Sequence, residues 1–195
     1  MKPSVILLLG MALCLAAPSR IDTAKTFGNP AAPVTIELFS DFQCPACRGL
    51  HMQLLPSIMR DYVVPGKAYL VYKEFPLMQH AHAREAATYA VASARVGKYE
   101  QVADALFRNQ QSWEADGKVF ETVATALTPA EQKKIQLLVK DPEVLSEVAQ
   151  DVQEGLQQNV NQTPTMVIIR GAKKYPLAGI PNYNLLQSLL NDLSK

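Results

Sequence analysis

Apolar residues change their spacing along this chain, and each change marks an element. The run Val34-Thr35-Ile36-Glu37-Leu38-Phe39 reads as a short strand, and Ser40-Asp41-Phe42-Gln43 leads from it into a helical pattern from Cys44 to about Val64. Pro56 lies inside that pattern, where its missing N–H predicts a kink or division of the helix. Lys67-Ala68-Tyr69-Leu70-Val71-Tyr72-Lys73 is rich in aromatic and β-branched residues and is closed by Phe75-Pro76, as a second strand would be. A strand, helix, strand unit of this kind predicts parallel strands with a right-handed connection. Residues 20–33 hold Gly28-Asn29-Pro30 and Pro33 and read as a loosely ordered lead-in with one short strand.

From His80 to about Val160 the period becomes helical. Ala83, Ala86, Ala87, Ala90, Val91 and Ala94 share one face, and Val144, Val148, Val152, Leu156 and Val160 step by four along another helix. Thr128-Pro129-Ala130-Glu131 combines a capping box with proline at the first helical position, and Asp141-Pro142 repeats the cap-then-proline order. Four or five helices are expected in this block, with a turn at Asp116-Gly117. The sheet resumes at Thr165–Ile169, turns through Arg170-Gly171-Ala172-Lys173 and returns over Lys174–Ala178, a hairpin by its tight turn. Leu185, Leu186, Leu189, Leu190 and Leu193 then predict the apolar face of a last helix.

The ends and the charge narrow the function. Met1-Lys2-Pro3, a largely apolar stretch from Val5 to Ala17, and Pro18-Ser19-Arg20 have the three-part layout of a secretory signal peptide over residues 1–19; the apolar part is short for a retained membrane helix. Cleavage after Ala16, Ala17 or Ser19 removes Cys14 and Lys2. With the cut before Arg20, 19 − 1 = 18 basic side chains face 18 acidic ones. Near-neutrality speaks against nucleic acid and anionic membranes, which need a basic surface. The 195 − 19 = 176 residues that remain can bury one sizeable core, so a single domain is expected.

That domain would keep one cysteine pair, Cys44 and Cys47, at the junction of strand and helix. Three residues apart on a helix, both side chains share a face within reach of a disulfide. The first turn carries unpaired N–H groups and a partial positive charge that stabilise a thiolate, so Cys44 is the expected reactive, solvent-facing sulfur. In C-x-x-C motifs the thiol pKa falls from about 8.5 to between roughly 3.5 and 7. Pro45 suits the first turn because its absent donor would be unpaired there anyway. Two other uses of the spacing are a structural disulfide and a zinc site. Zinc needs four ligands, and His51, His80 and His82 are the only imidazoles available; His80 and His82 would not share a helix face. No cofactor is expected, and His51 is read as a partly exposed helix residue without a role.

The run FSDFQCPACR, the tripeptide Phe75-Pro76-Leu77 and Thr163-Pro164-Thr165 resemble the exported DsbA-like members of the thioredoxin superfamily. The resemblance spans nearly all of residues 20–195. It implies an α/β, thioredoxin-like fold with an inserted helical block at about 78–160, and a protein thiol–disulfide oxidoreductase acting through Cys44-Pro45-Ala46-Cys47, as a dithiol oxidase first and a reductase or isomerase as the alternative. It further implies that Pro164 is a cis-proline facing the cysteines and that Thr163 offers backbone groups to an extended substrate segment. Folding exported proteins with cysteines are the implied substrates, a quinone-linked membrane oxidase the implied partner, a periplasmic or other extracytoplasmic space the location, and a monomer the expected state. A reading from a different class is a peptide-holding chaperone whose disulfide is inert.

Two positions depart from the pattern. Relatives hold a buried acid six residues before the first cysteine, where it can pass protons to the second thiol, and this chain has Leu38 there; Glu37 should face away from the thiols unless a bulge shifts the register, since successive strand residues point to opposite sides. Asp41, three residues before Cys44, is the acid nearer in sequence for proton handling at Cys47, but it reads first as a solvated turn or cap residue. Between the cysteines, Ala46 supplies no ring or charge to the Cys44 thiolate, which implies a less extreme potential than that of the histidine-bearing members.

Overall fold

The computed structural model describes residues 25–195. The expected leader, its cleavage points and Cys14 lie outside the described residues. β1 (Thr26–Phe27), β2 (Val34–Ser40) and β3 (Ala68–Glu74) are followed, after the helical block, by β4 (Thr165–Arg170) and β5 (Lys173–Ala178), in the sheet order β1-β3-β2-β4-β5. β2 and β3 run parallel, with Leu38 beside Tyr72 and Ser40 beside Glu74, as the strand, helix, strand reading requires. β4 lies antiparallel on the other side of β2, Met166 beside Leu38, and closes the predicted hairpin with β5 through Gly171 at a φ of 59°. Pro176 falls in the outer strand β5, whose unpaired edge tolerates a residue without an N–H.

The helix after β2 is broken into four stretches. α1 (Pro45–Gly49) passes into a π-helical turn at Leu50–Leu54, then α2 (Leu55–Ile58) and a second π turn at Met59–Val63. Pro56 sits in the first turn of α2, where its lack of a donor is absorbed by the wider hydrogen-bonding of the preceding π turn. Between β3 and β4 stand α3 (Ala83–Ala94), α4 (Tyr99–Arg108), α5 (Gln110–Asp116), α6 (Val119–Ala124), α7 (Pro129–Leu138) and α8 (Pro142–Gln157). That is one or two more than the sequence pattern suggests. The break at Gly117, whose φ of 72° ends α5, is the expected turn, whereas the one at Asn109, which separates α4 from α5, has no signal in the pattern. The Thr128 capping box forms as expected, and Asp141 caps α8 through the Glu143 N–H at 2.8 Å. None of the helices in the described region is long and apolar enough to cross a membrane.

One face of the sheet, with Ile36, Leu38, Leu70, Tyr72 and Met166, packs into the main core together with Cys44, Cys47, Leu50 and the alanine face of α3. The opposite face, with Phe39, Phe75, Val160 and Val167, forms a smaller cluster against α8. In α9 (Tyr183–Leu193) the predicted face is narrower than read: Leu186 and Leu190 are buried, Leu189 and Leu193 half-buried, and Leu185 is 73 % exposed. Five leucines subtend more of the helix than one neighbouring surface can cover.

The lead-in is also less loose than its composition implies. β1 pairs with β3, and the buried Lys25 ammonium bridges Glu147 and Asp151 of α8, each at 2.6 Å. Asp151 also holds Lys73 at 3.1 Å and accepts the Glu74 N–H at 3.0 Å, so charge pairing ties the start of the described chain to β3 and α8.

Gly155 permits the close approach of α8 to the second cluster, because a Cβ there would lie 2.6 Å from the Phe75 ring. Gly155→Ala gains about 1 kcal/mol of helix propensity and loses about 1–3 kcal/mol to overpacking. A lower midpoint in urea is expected, and an unchanged or raised midpoint would show that the ring moves freely aside.

Candidate active site

The loop after β2 is shaped by Asp41. Its carboxylate accepts the Gln43 N–H at 2.7 Å, its carbonyl accepts the Cys44 N–H at 3.1 Å, and this turn leaves Cys44 extended (φ −79°, ψ 121°) at the cap of α1 with Pro45 next. Gln110 of α5 clamps the loop from the other side, donating to the carbonyls of Phe42 at 2.6 Å and Cys44 at 3.0 Å. The Cys44 carbonyl also accepts the Arg48 N–H at 3.1 Å, the first bond of the helix.

Both cysteines are free thiols. Cys44 is 7 % and Cys47 1 % exposed, so Cys44 is the more accessible sulfur but is less open than a helix tip suggests. The reason is the Thr163–Pro164 segment, joined by a cis peptide bond, which places the Thr163 carbonyl 3.4 Å from the Cys44 Sγ. Pro164 is in turn held by the Gly179 N–H at 2.8 Å. Pro45 is exposed and Ala46 half-buried, so the rim beside the thiols is open on that side.

The two sulfurs are driven apart in acidity. Hydrogen bonding from the Cys47 thiol lowers the Cys44 pKa most; the Thr163 side chain and the N–H groups of Cys47 and Ala46 add to it against the opposing effect of burial, and the result is about 5. Cys47 is pushed far upward by burial and by the hydrogen bond and charge of Cys44, while the backbone of Asp41 and the hydroxyl of Ser40 oppose the rise. The Asp41 N–H lies 3.4 Å from the Cys47 Sγ. A Cys44 pKa near 5 is within the span of C-x-x-C thiols and above its acidic limit of about 3.5.

Thr163 contributes in two opposed ways. As a thiol, Cys44 donates to the Thr163 carbonyl; once ionised it loses that bond, and the buried Thr163 hydroxyl, with no hydrogen-bond partner of its own, is then the donor free to turn to it. Thr163→Val keeps the shape and removes this donor. A rise in the Cys44 pKa of about one unit, worth about 1.4 kcal/mol, is expected in an ultraviolet thiolate titration, and an unmoved curve would assign the lowering to the helix end and Cys47 alone.

Asp41 is not the solvated turn residue expected from sequence. It does form the turn, but its carboxylate is fully buried, accepting the Leu77 N–H at 2.8 Å and pairing with His80 Nδ1 at 2.7 Å. The loop after β3 folds over it and excludes water. Glu37 lies on the sheet face away from the cysteines and accepts a bond from Gln158 at 2.8 Å. His51 sits between Tyr72 and Asp104, and burial lowers its pKa. Gln43, Gln110, Ser40 and His80 carry no motif; only the Asp-Phe-Gln turn signal before Cys44 points to this loop as a built structure.

Residues 21–181 match the family model described as Thioredoxin. The chain is 22 % identical over 151 residues to a probable disulfide bond formation protein D of Bacillus cereus, covering 75 % of this chain and 70 % of the relative. Among solved structures it is similar to Wolbachia pipientis alpha-DsbA1, with a TM-score of 0.75, 18 % identity, and coverage of 93 % of this chain and 94 % of that one. It is also similar to a thioredoxin-like oxidoreductase from Silicibacter pomeroyi, with a TM-score of 0.70, 25 % identity, and coverage of 90 % and 97 %.

Proposed function

We propose that this chain, which belongs to the thioredoxin family, is an exported protein thiol–disulfide oxidoreductase that works as a dithiol oxidase. The observation that carries the reading is the split between the sulfurs: Cys44, at the tip of α1, is stabilised as a thiolate, while Cys47 behind it is held as a thiol. A mixed disulfide formed at Cys44 therefore has a good leaving group in the Cys44 thiolate. The name of the Bacillus relative supports the same chemistry.

In the oxidising direction a substrate thiolate attacks the Cys44 Sγ, the Cys44–Cys47 bond breaks, and Cys47 leaves with the electron pair and takes up a proton. A second substrate thiolate then attacks the substrate sulfur of the mixed disulfide, and Cys44 departs as a thiolate. The substrate gains a disulfide and loses two electrons to the enzyme. Stabilising the departing Cys44 thiolate favours this direction over reduction. Pro45 and Ala46 set the first turn that presents Cys44, and Thr163 with Pro164 offers backbone beside it for an extended polypeptide in a strand-addition mode. Folding exported proteins are the substrates, a quinone-linked membrane oxidase returns the dithiol to the disulfide, and residues 1–19 act as a removed leader for the domain over 20–195, working as a monomer.

The test is an equilibrium titration of the pair against glutathione, together with the yield of disulfides in a reduced ribonuclease mixed with the oxidised protein. A potential well above that of the glutathione pool and stoichiometric transfer are expected. A pair more reducing than the pool, or a protein that binds the reduced chain without oxidising it, would favour the reductase or the holding role.

A further inference from the structure

A buried sulfur that must alternate between thiol and thiolate needs a proton carrier, and Cys47, 1 % exposed, has no direct contact with bulk water to provide one. We propose that the Asp41 carboxylate and the His80 imidazole are the route by which Cys47 exchanges its proton with solvent. This rests on the exchange chemistry assigned to Cys44 and Cys47 above.

The pair begins at the residue that touches the sulfur. The Asp41 N–H touches the Cys47 Sγ at 3.4 Å, which makes Asp41 the acid whose backbone adjoins the sulfur; the N–H itself carries no proton to the carboxylate, so the first transfer runs through one water. One oxygen of that carboxylate accepts the Gln43 N–H; the other accepts the Leu77 N–H and lies 2.7 Å from His80 Nδ1. The carboxylate is fully buried, whereas the His80 side chain is 20 % exposed, which makes the imidazole the water-facing end of the pair. A buried carboxylate bonded to a half-covered imidazole matches a group that accepts a proton on one side and passes it on from the other.

The other ionisable groups at this end of the sheet are committed elsewhere. Cys47 is faced by Cys44 from its own helix and by the Ser40 hydroxyl and Asp41 N–H from β2 and its loop. Glu74, at the end of β3, accepts the Tyr99 hydroxyl at 2.7 Å and is engaged with the charges of Lys25, Asp151 and Glu147. Glu37 is bonded to Gln158 on the opposite face, and Leu38 carries no proton.

The step balances in both directions. When Cys44 is joined to an outside thiol, Cys47 gives its proton to the pair and its sulfur attacks the Cys44 Sγ; the Cys44–Cys47 bond forms, and the outside thiol leaves as a thiolate. When a substrate thiolate opens the Cys44–Cys47 bond, Cys47 leaves as a thiolate and regains a proton from the pair.

Release of glutathione from protein carrying a Cys44–glutathione disulfide isolates this step in a single turnover. His80→Asn keeps an amide donor at the Nδ1 position for the Asp41 carboxylate, so the loop stays pinned while the imidazole is lost. The release rate is expected to fall about tenfold or more near neutral pH, to depend on pH differently from wild type, and to recover in part on addition of millimolar imidazole; the Cys44 titration should stay in place. A variant matching wild type in rate and pH profile, or slowed equally at every pH with no response to imidazole, would reduce the pair to a structural latch and overturn the assignment. Failure of the wild-type protein itself to release glutathione would instead sink the oxidoreductase reading, and this assignment with it.

Discussion

Replacing Cys44 by alanine is expected to reduce disulfide transfer to the uncatalysed background, while replacing Cys47 by alanine leaves a protein that reacts once and stops. The reasons differ. Without Cys44 the remaining thiol is buried and held protonated by its surroundings, so no thiolate meets a substrate. Without Cys47, Cys44 still sits at the tip of α1 and still reacts with glutathione disulfide, but no neighbour resolves the product. Positioned intramolecular groups act at effective concentrations up to about 10⁵–10⁸ M, which millimolar outside thiols cannot match. The Cys47→Ala protein should therefore accumulate with one glutathione attached, visible by mass. Its Cys44 should also titrate above the value of about 5, because the Cys47 hydrogen bond is the largest influence lowering it. Rapid turnover by Cys44→Ala would show that the sulfurs have been assigned the wrong roles.

How far the residues alone disclose this site depends on whether a feature is written locally. The C-P-A-C run after a strand is local: three residues of spacing, a helix start and a proline place both sulfurs together, and the structure has them so. The parallel β2–β3 pair and the β4–β5 hairpin were legible for the same reason, since strand period and turn residues are near-neighbour signals. Asp41 was not. Its turn is local, but its burial comes from Leu77 and His80, thirty-six and thirty-nine residues away, and no pattern in the chain says that the loop after β3 will close over it. Gln110 reaches the same loop from a separation of sixty-six residues. The coverage of Cys44 is of this kind as well, imposed by Thr163 at a distance of one hundred and nineteen residues. Leu185 erred in the other direction: helical period identifies a face and says nothing of how wide a partner lies opposite it.

The reduced protein is expected to gain stability relative to its disulfide form as the pH rises from about 5 to about 8.5, and the sign follows from the thiolate. Cys44 has a folded pKa of about 5 against about 8.5 when unfolded. Below 5 it is a thiol in both states and contributes nothing; between the two values only the folded protein has released the proton; above 8.5 the contribution is complete. At pH 7 the separation acting is 7 − 5 = 2 units, about 2.7 kcal/mol at 1.36 kcal/mol per unit. Cys47 works in the opposite sense but at higher pH: its folded pKa is raised, so it stays protonated in the native state and subtracts stability only once the unfolded thiol ionises. The advantage of the reduced form should thus climb to a maximum near pH 8.5 and then decline. The same energy makes the disulfide easier to reduce, by about 60 mV at pH 7 relative to a pair of ordinary acidity, since 30 mV corresponds to about 1.4 kcal/mol. Urea unfolding of the oxidised and reduced proteins across this range checks the first statement, and the glutathione equilibrium checks the second. A stability difference flat between pH 5 and 8 would mean that Cys44 is not ionised in the native protein, and the driving force for passing disulfides outward would have to lie somewhere other than the tip of α1.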